Sequence, residues 1–288
     1  MSILIPNFGA DKDQLYDFLR KNMNQLIRAK KSVMKAPMDG FSLNFTHDQI
    51  QDKEVQKEFG IAAMDGAGTG KTTARCAINA TNVIDSHLDL HLPKLFNRSV
   101  KANKDPLHLN LHRMNDWDAV IADGPDEVKT YVKTVTWRSI GWGFEGKTDI
   151  LMHDVRFTGR NPEMEDRYLK GHVKYHSVGM IYVDFVLCAN TDSKYMREEK
   201  DNYDQYITQA INPEVAEEYG YFWAVKEAKE VEGSSVVRGS CPATPTISIF
   251  TESEKFTSVD DNTDKSKGSS DDTLERIKKI KFLLSFVT

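Results

Sequence analysis

Tyr175-His176-Ser177-Val178-Gly179-Met180-Ile181-Tyr182-Val183-Asp184-Phe185-Val186-Leu187-Cys188 is a long run rich in β-branched and aromatic residues with no proline, which predicts a strand over Val178 to Ala189. Alternation would put Ser177, Ile181, Val183, Phe185 and Leu187 on one face. His176 would then point to the opposite face. Phe222 to Val237, Val128 to Trp137 and Asp149 to Phe157 show the same character. Ala74, Cys76, Ile78 and Ala80, and before them Phe59, Ile61 and Ala63, also alternate. Loops and short helices separate these runs without regular βαβ spacing. The chain therefore reads as an α+β fold, with a mainly antiparallel β core and helices at its periphery.

Two short helices are marked by their ends. Asn161-Pro162 precedes Met164 to Leu169 with Gly171 after, and Asn212-Pro213 precedes Val215 to Tyr219 with Gly220 after: a capping residue, a proline in the first turn and a glycine at the close. From Asp11 to Met34, Leu15, Phe18, Leu19, Met23, Leu26 and Ile27 recur at spacings of three and four, the stripe of an amphipathic helix. The organisation expected is an N-terminal helical arm (1–45), a main domain (46–250), a polar linker (251–272) and a C-terminal amphipathic segment (273–288). The linker is too polar to offset the entropy of ordering. In the last segment Leu274, Ile277, Ile280, Leu283 and Leu284 form a stripe that could dock on a partner or on the chain's own domain.

Composition narrows the function classes. A 40% hydrophobic chain of 288 residues can bury a substantial core. Its net charge of −5 lacks the basic footprint of a nucleic-acid binder. Cys76, Cys188 and Cys241 are odd in number and far apart, so neither a disulfide framework nor a zinc site is expected. No apolar run is long enough to span a membrane, and the first residues lack the pattern of a secretory signal.

Gly66-Ala-Gly-Thr-Gly70-Lys71-Thr72-Thr73 imitates a nucleotide-binding loop. Asp65 stands where that loop needs its first glycine, and the residues after Thr72 have strand rather than helix periodicity. Ala119-Val-Ile-Ala-Asp123 could imitate the acidic strand of such an enzyme, although apolar runs ending in Asp-Gly are common in turns. A nucleotide-hydrolysing enzyme is thus disfavoured, and no cofactor is expected. His87 and His91 could bind a metal with Asp85 or Asp89. Without a third cluster at ligand spacing, a structural or substrate-loop role is preferred.

Ser177 alone reads as a hydroxyl satisfied near a strand end. In Leu107-His-Leu-Asn-Leu111-His112-Arg-Met114, alternation sets His108, Asn110 and His112 opposite Leu107, Leu109 and Leu111, leaving His108 and His112 as exposed-face candidates for a base.

A resemblance goes further. Asn82-Val-Ile-Asp-Ser-His87 followed by Leu95-Phe, then Leu109-Asn-Leu-His112-Arg-Met114, Lys174-Tyr-His-Ser177-Val-Gly-Met180, Glu227-Ala-Lys-Glu-Val-Glu232-Gly-Ser-Ser-Val-Val237 and Cys241-Pro242-Ala-Thr-Pro245 together resemble the prohead maturation proteases of tailed bacteriophages, in order, from about Phe59 to Pro245. The resemblance implies a β-barrel core related to that of the herpesvirus assembly proteases and a serine endopeptidase with Ser177 as nucleophile and His112 as general base. By the same matching Glu232 would orient His112, with Glu230, Glu227 or His172 as alternatives. Implied partners are the scaffolding protein, the major capsid protein and the chain itself, inside the prohead in the host cytoplasm. A catalytically inactive protein of the capsid interior is the principal alternative.

Overall fold

The computed structural model describes residues 5–32, 58–59 and 72–251. The chain divides into two compact units, Met1–Glu254 and Lys255–Thr288, and the second lies outside the described residues. So do most of the glycine-rich run with Lys71, the strand residues Ile61 and Ala63, and all but the first residue of the expected linker and the whole C-terminal segment. Phe59 belongs to a helical turn.

The fold is mixed α+β. Strands β1 (Thr72–Ala80), β5 (Val128–Thr136), β6 (Lys147–Arg156) and β9 (Thr246–Thr251) form an antiparallel sheet in the order β5-β6-β1-β9. A second sheet is built on β8 (Tyr221–Val236), which pairs antiparallel with β7 (Tyr175–Ala189) along nearly its whole length. The other edge of β8 takes two short parallel strands, β2 (Asp89–His91) and β3 (Leu107–Asn110), and β3 pairs in turn with β4 (Val120–Asp123). The described strands stay as two open sheets and do not close into the expected barrel. The two short parallel additions to β8 also qualify the antiparallel reading.

Helix α1 (Lys12–Ser32) buries Leu15, Leu19 and Leu26 in the main core, with Tyr16 donating to the Asn190 carbonyl at 2.7 Å. Near its end Lys30 forms an ion pair with the buried Asp89. Helix α2 (Asn97–Ala102) is short and lies beside β8. In α3 (Pro162–Leu169) the Asn161 side chain caps the Met164 N–H at 3.2 Å, as the Asn-Pro signal predicts. Helix α5 (Pro213–Tyr219) likewise starts at Asn-Pro, but the Asn212 amide instead bonds the backbone N–H and C=O of Ile84. Helix α4 (Arg197–Ile207), not anticipated, presents one buried aromatic, Tyr203, to Phe222.

The core lies between the sheets. Cys76 and Ile78 of β1 and Leu151 and Val155 of β6 belong to one buried cluster with Val178, Met180, Tyr182, Phe185 and Leu187 of β7. The β7/β8 pair therefore has an inner face turned to the first sheet and an outer face turned away from it. Strict alternation does not survive along β7. An extra residue, Val183, breaks the pairing between Tyr182↔Ala228 and Asp184↔Glu227, a bulge that reverses the faces beyond it. Phe185 and Leu187 consequently join the Val178 face, and Ile181 and Val183 are exposed. The shared face expected for Ser177 with Phe185 and Leu187 is thus corrected.

Candidate active site

Ser177 lies opposite Ser234, and Gly179 opposite Glu232, in the β7/β8 register. Directly opposed residues project to the same side, as do residues two apart on one strand. The side chains of Ser177, Ser234 and Glu232 therefore share the outer face. Gly179 is required there: a Cβ on it would collide with Glu232 Oε1 and lie 2.9 Å from Cδ. Its bareness lets the Glu232 carboxylate fold across β7 on Ser177's side.

His112 reaches this face through an irregularity that strand alternation cannot foresee. Strand β3 ends at Asn110, and Leu111 and His112 both adopt left-handed backbone, with φ of 59° and 54°. Such residues cost about 1–3 kcal/mol each unless the surroundings hold them. Three bonds do so: Leu111 N–H donates to the Ser235 carbonyl at 2.9 Å, His112 N–H donates to Ser234 Oγ at 3.1 Å, and His112 Nδ1 meets Glu232 Oε1 at 2.6 Å. Continued alternation would have left His112 beside His108. The left-handed pair instead carries its ring to Glu232.

Glu232 is fully buried, yet both carboxylate oxygens are engaged, Oε1 by the imidazole and Oε2 by the Ser234 hydroxyl at 2.6 Å. A carboxylate at Nδ1 fixes the tautomer that carries its proton there, leaving Nε2 as a lone-pair acceptor. Among the described residues Nε2 is buried and has no hydrogen-bond partner. The His112 side chain is 8% exposed and Ser177 5%, so the group is shielded without being sealed, and a shallow depression lined by His112, Arg113, Met114 and Asp116 adjoins it.

The alternatives for the acidic partner go elsewhere. Glu227 pairs with Arg98 at 3.2 Å and His172 is exposed. Glu230 is turned inward because Val231 is looped out between Gly179↔Glu232 and Met180↔Glu230, so that two carboxylates only two residues apart face opposite ways.

Glu230 opens a buried inner network. Its Oε1 meets His153 Nε2 at 2.6 Å, His153 Nδ1 meets His108 Nδ1 at 3.1 Å, and His108 Nε2 meets the Tyr168 hydroxyl at 3.1 Å. That hydroxyl also contacts Ser235 Oγ at 2.6 Å and His176 Nε2 at 3.0 Å. Because His176 Nδ1 lies 3.2 Å from the Thr244 carbonyl, it is the donor and Nε2 the acceptor. All five titratable members are fully buried. Burial pushes His176 down to about 3 and, with the neighbouring His153 and His176, holds His108 well below the ordinary imidazole value. His108 is thus no exposed-face residue, and His176 lies opposite Ser177, as its strand parity predicts.

Two clusters bring metal-ligand types together. Cys76, His108 and His176 converge, but the Tyr168 hydroxyl already lies among them, 3.8 Å from the sulfur and about as near both imidazoles as a hydrogen bond requires. Asp85, Asp89 and His91 also converge, with Asp89 held by Lys30 and by the Tyr182 hydroxyl at 2.6 Å, and His91 between Asn79 and Tyr182. Both sets are occupied by protein groups. Thr72 opens strand β1, where a nucleotide-binding loop would open a helix. Among the described residues no helix is long and apolar enough to cross a membrane.

Compared with known proteins, the chain matches no family model, no curated protein and no solved structure.

Proposed function

We propose that the chain is a serine endopeptidase in which Ser177 is the nucleophile, His112 the general base and Glu232 the group that orients it. The observation carrying this reading is the outer face of β7/β8: a serine, a carboxylate and an imidazole on one side, the imidazole held at Nδ1 and, among the described residues, without a partner at Nε2. Nε2 accepts the Ser177 proton as Oγ bonds to a peptide carbonyl carbon, and the carbonyl oxygen takes the negative charge. The same proton then passes to the leaving nitrogen as the C–N bond breaks. Water repeats the sequence on the acyl-enzyme and releases the serine. Glu232 stays ionised throughout and stabilises the imidazolium through Oε1. No cofactor takes part.

The ordered blocks around His112, Ser177 and Glu232 that resemble prohead maturation proteases support a narrower reading, including kinship with the herpesvirus assembly-protease fold. In it the enzyme works in the prohead within the host cytoplasm and cuts the scaffolding protein, a segment of the major capsid protein and its own chain. Expression of the full chain with scaffold tests this. Processing stops in Ser177→Ala, and continued cutting at the same sites contradicts the assignment and favours an inactive structural protein acted on by another enzyme.

A further inference from the structure

We infer that Ser234 is a positioning residue for His112, a fourth member of the outer-face group that acts through Glu232 and through the backbone of the base. The inference rests on the protease reading for its kinetic consequence and on geometry alone for the contact. Ser234 is fully buried, and its hydroxyl has two defined tasks. It donates to Glu232 Oε2 at 2.6 Å and accepts the His112 N–H at 3.1 Å. One oxygen therefore ties the main chain of His112 to the carboxylate that holds its ring.

Both tasks answer a need visible in the fold. His112 sits in left-handed backbone immediately after another left-handed residue, a conformation that reverts unless its amide is held. The Ser234 hydroxyl holds that amide, as the Ser235 carbonyl holds the amide of Leu111. At the carboxylate, an O–H on Oε2 withdraws negative charge from Oε1, where the imidazole sits. Removing that donor concentrates the charge on Oε1 and favours the imidazolium. The base is then protonated at higher pH.

Ser234 is also the residue directly across from Ser177 and two residues from Glu232 on the same strand, so its small side chain neighbours both on the outer face. Its adjacent partner Ser235 faces inward to Tyr168 and His108. The two serines thus divide the faces between them, and only Ser234 belongs to the proposed chemistry.

The test is the rate at which a fluorophosphonate labels the full chain across pH, which needs no known substrate: serine oxygen bonds to phosphorus, fluoride leaves, and the proton goes to the base. In Ser234→Ala the labelling rate falls about 10- to 100-fold, the loss expected when a base is displaced by an ångström or less, and the acid limb of the profile moves to higher pH. Ser234→Cys, a weaker donor of similar shape, falls between. An unchanged rate and limb in Ser234→Ala, with labelling abolished in Ser177→Ala, overturns the inference but keeps the protease. Labelling that persists in Ser177→Ala overturns the protease reading instead. Hydrogen exchange on the unsubstituted chain gives a reading independent of activity and of whether either variant folds. The His112 amide is protected by Ser234 Oγ, and exchange at the rate of an unbonded amide overturns the clamp.

Discussion

The two faces of the β7/β8 pair carry nearly the same chemistry and put it to opposite ends. Outside, a carboxylate, an imidazole and a hydroxyl (Glu232, His112, Ser234) are hydrogen-bonded next to a surface depression, with Ser177 paired across from Ser234 on the same face. Inside, a carboxylate, three imidazoles, a phenol and a hydroxyl (Glu230, His153, His108, His176, Tyr168, Ser235) converge with no exposure. Every nitrogen of the three inner imidazoles has a partner. On the outer face His112 keeps one without a partner among the described residues. A residue inventory alone cannot separate a reactive group from a structural one; an imidazole nitrogen left without a partner beside a surface depression does. The inner network is a polar core that fixes how the sheets pack, and the outer group is where chemistry is proposed.

The comparison breaks if an inner residue proves to govern reaction and not stability. Glu230→Ala leaves the buried His153 N–H without its acceptor and opens a cavity, costing about 3 kcal/mol, measured by urea unfolding. The folded fraction should still label at Ser177 within a few-fold of the unsubstituted rate. A large drop in labelling with stability unchanged would reverse the roles assigned to the faces.

A smaller effect sharpens the same contrast. His108 and His176 are held neutral in the folded protein, His176 down to about 3 against an ordinary 6.5. Between those values the unfolded chain binds more protons than the folded one, so stability is full above about pH 6.5 and is lost on acidification. Each histidine contributes a slope of up to about 1.4 kcal/mol per pH unit. Unfolding free energies between pH 6.5 and 5, above the carboxylate range, should fall accordingly, and more gently in His176→Gln. A flat profile there would mean that the inner histidines are not held neutral.

Much of the scaffold was legible because alternation and end signals are local. Strands β5, β6, β7 and β8 and helices α3 and α5 stand within a few residues of where β-branched runs, Asn-Pro starts and closing glycines put them. The faces were less legible. Val183 and Val231 carry no mark of a bulge, and Leu111 and His112 carry none of left-handed backbone, since a glycine at any of them would have been the signal. Each such event reverses a face, which is why alternation alone puts Ser177 with Phe185 and His112 with His108. The inner network joins β3, β6, β7, β8 and α3, and only tertiary packing assembles it. Ser234 had a signal in its spacing of two from Glu232, but a serine in Gly233-Ser-Ser reads first as a small residue. The barrel expectation came from the family resemblance and not from periodicity, which does not say whether sheet edges meet.

The central claim is that Ser177 is activated by a His112 held by Glu232 on the outer face. Mass-spectrometric mapping of the fluorophosphonate adduct on the full chain tests it most directly. A single adduct on Ser177, formed more slowly as pH falls and absent in His112→Ala, is the predicted result. An unmodified Ser177, or an adduct that forms equally well without the His112 imidazole, would contradict it.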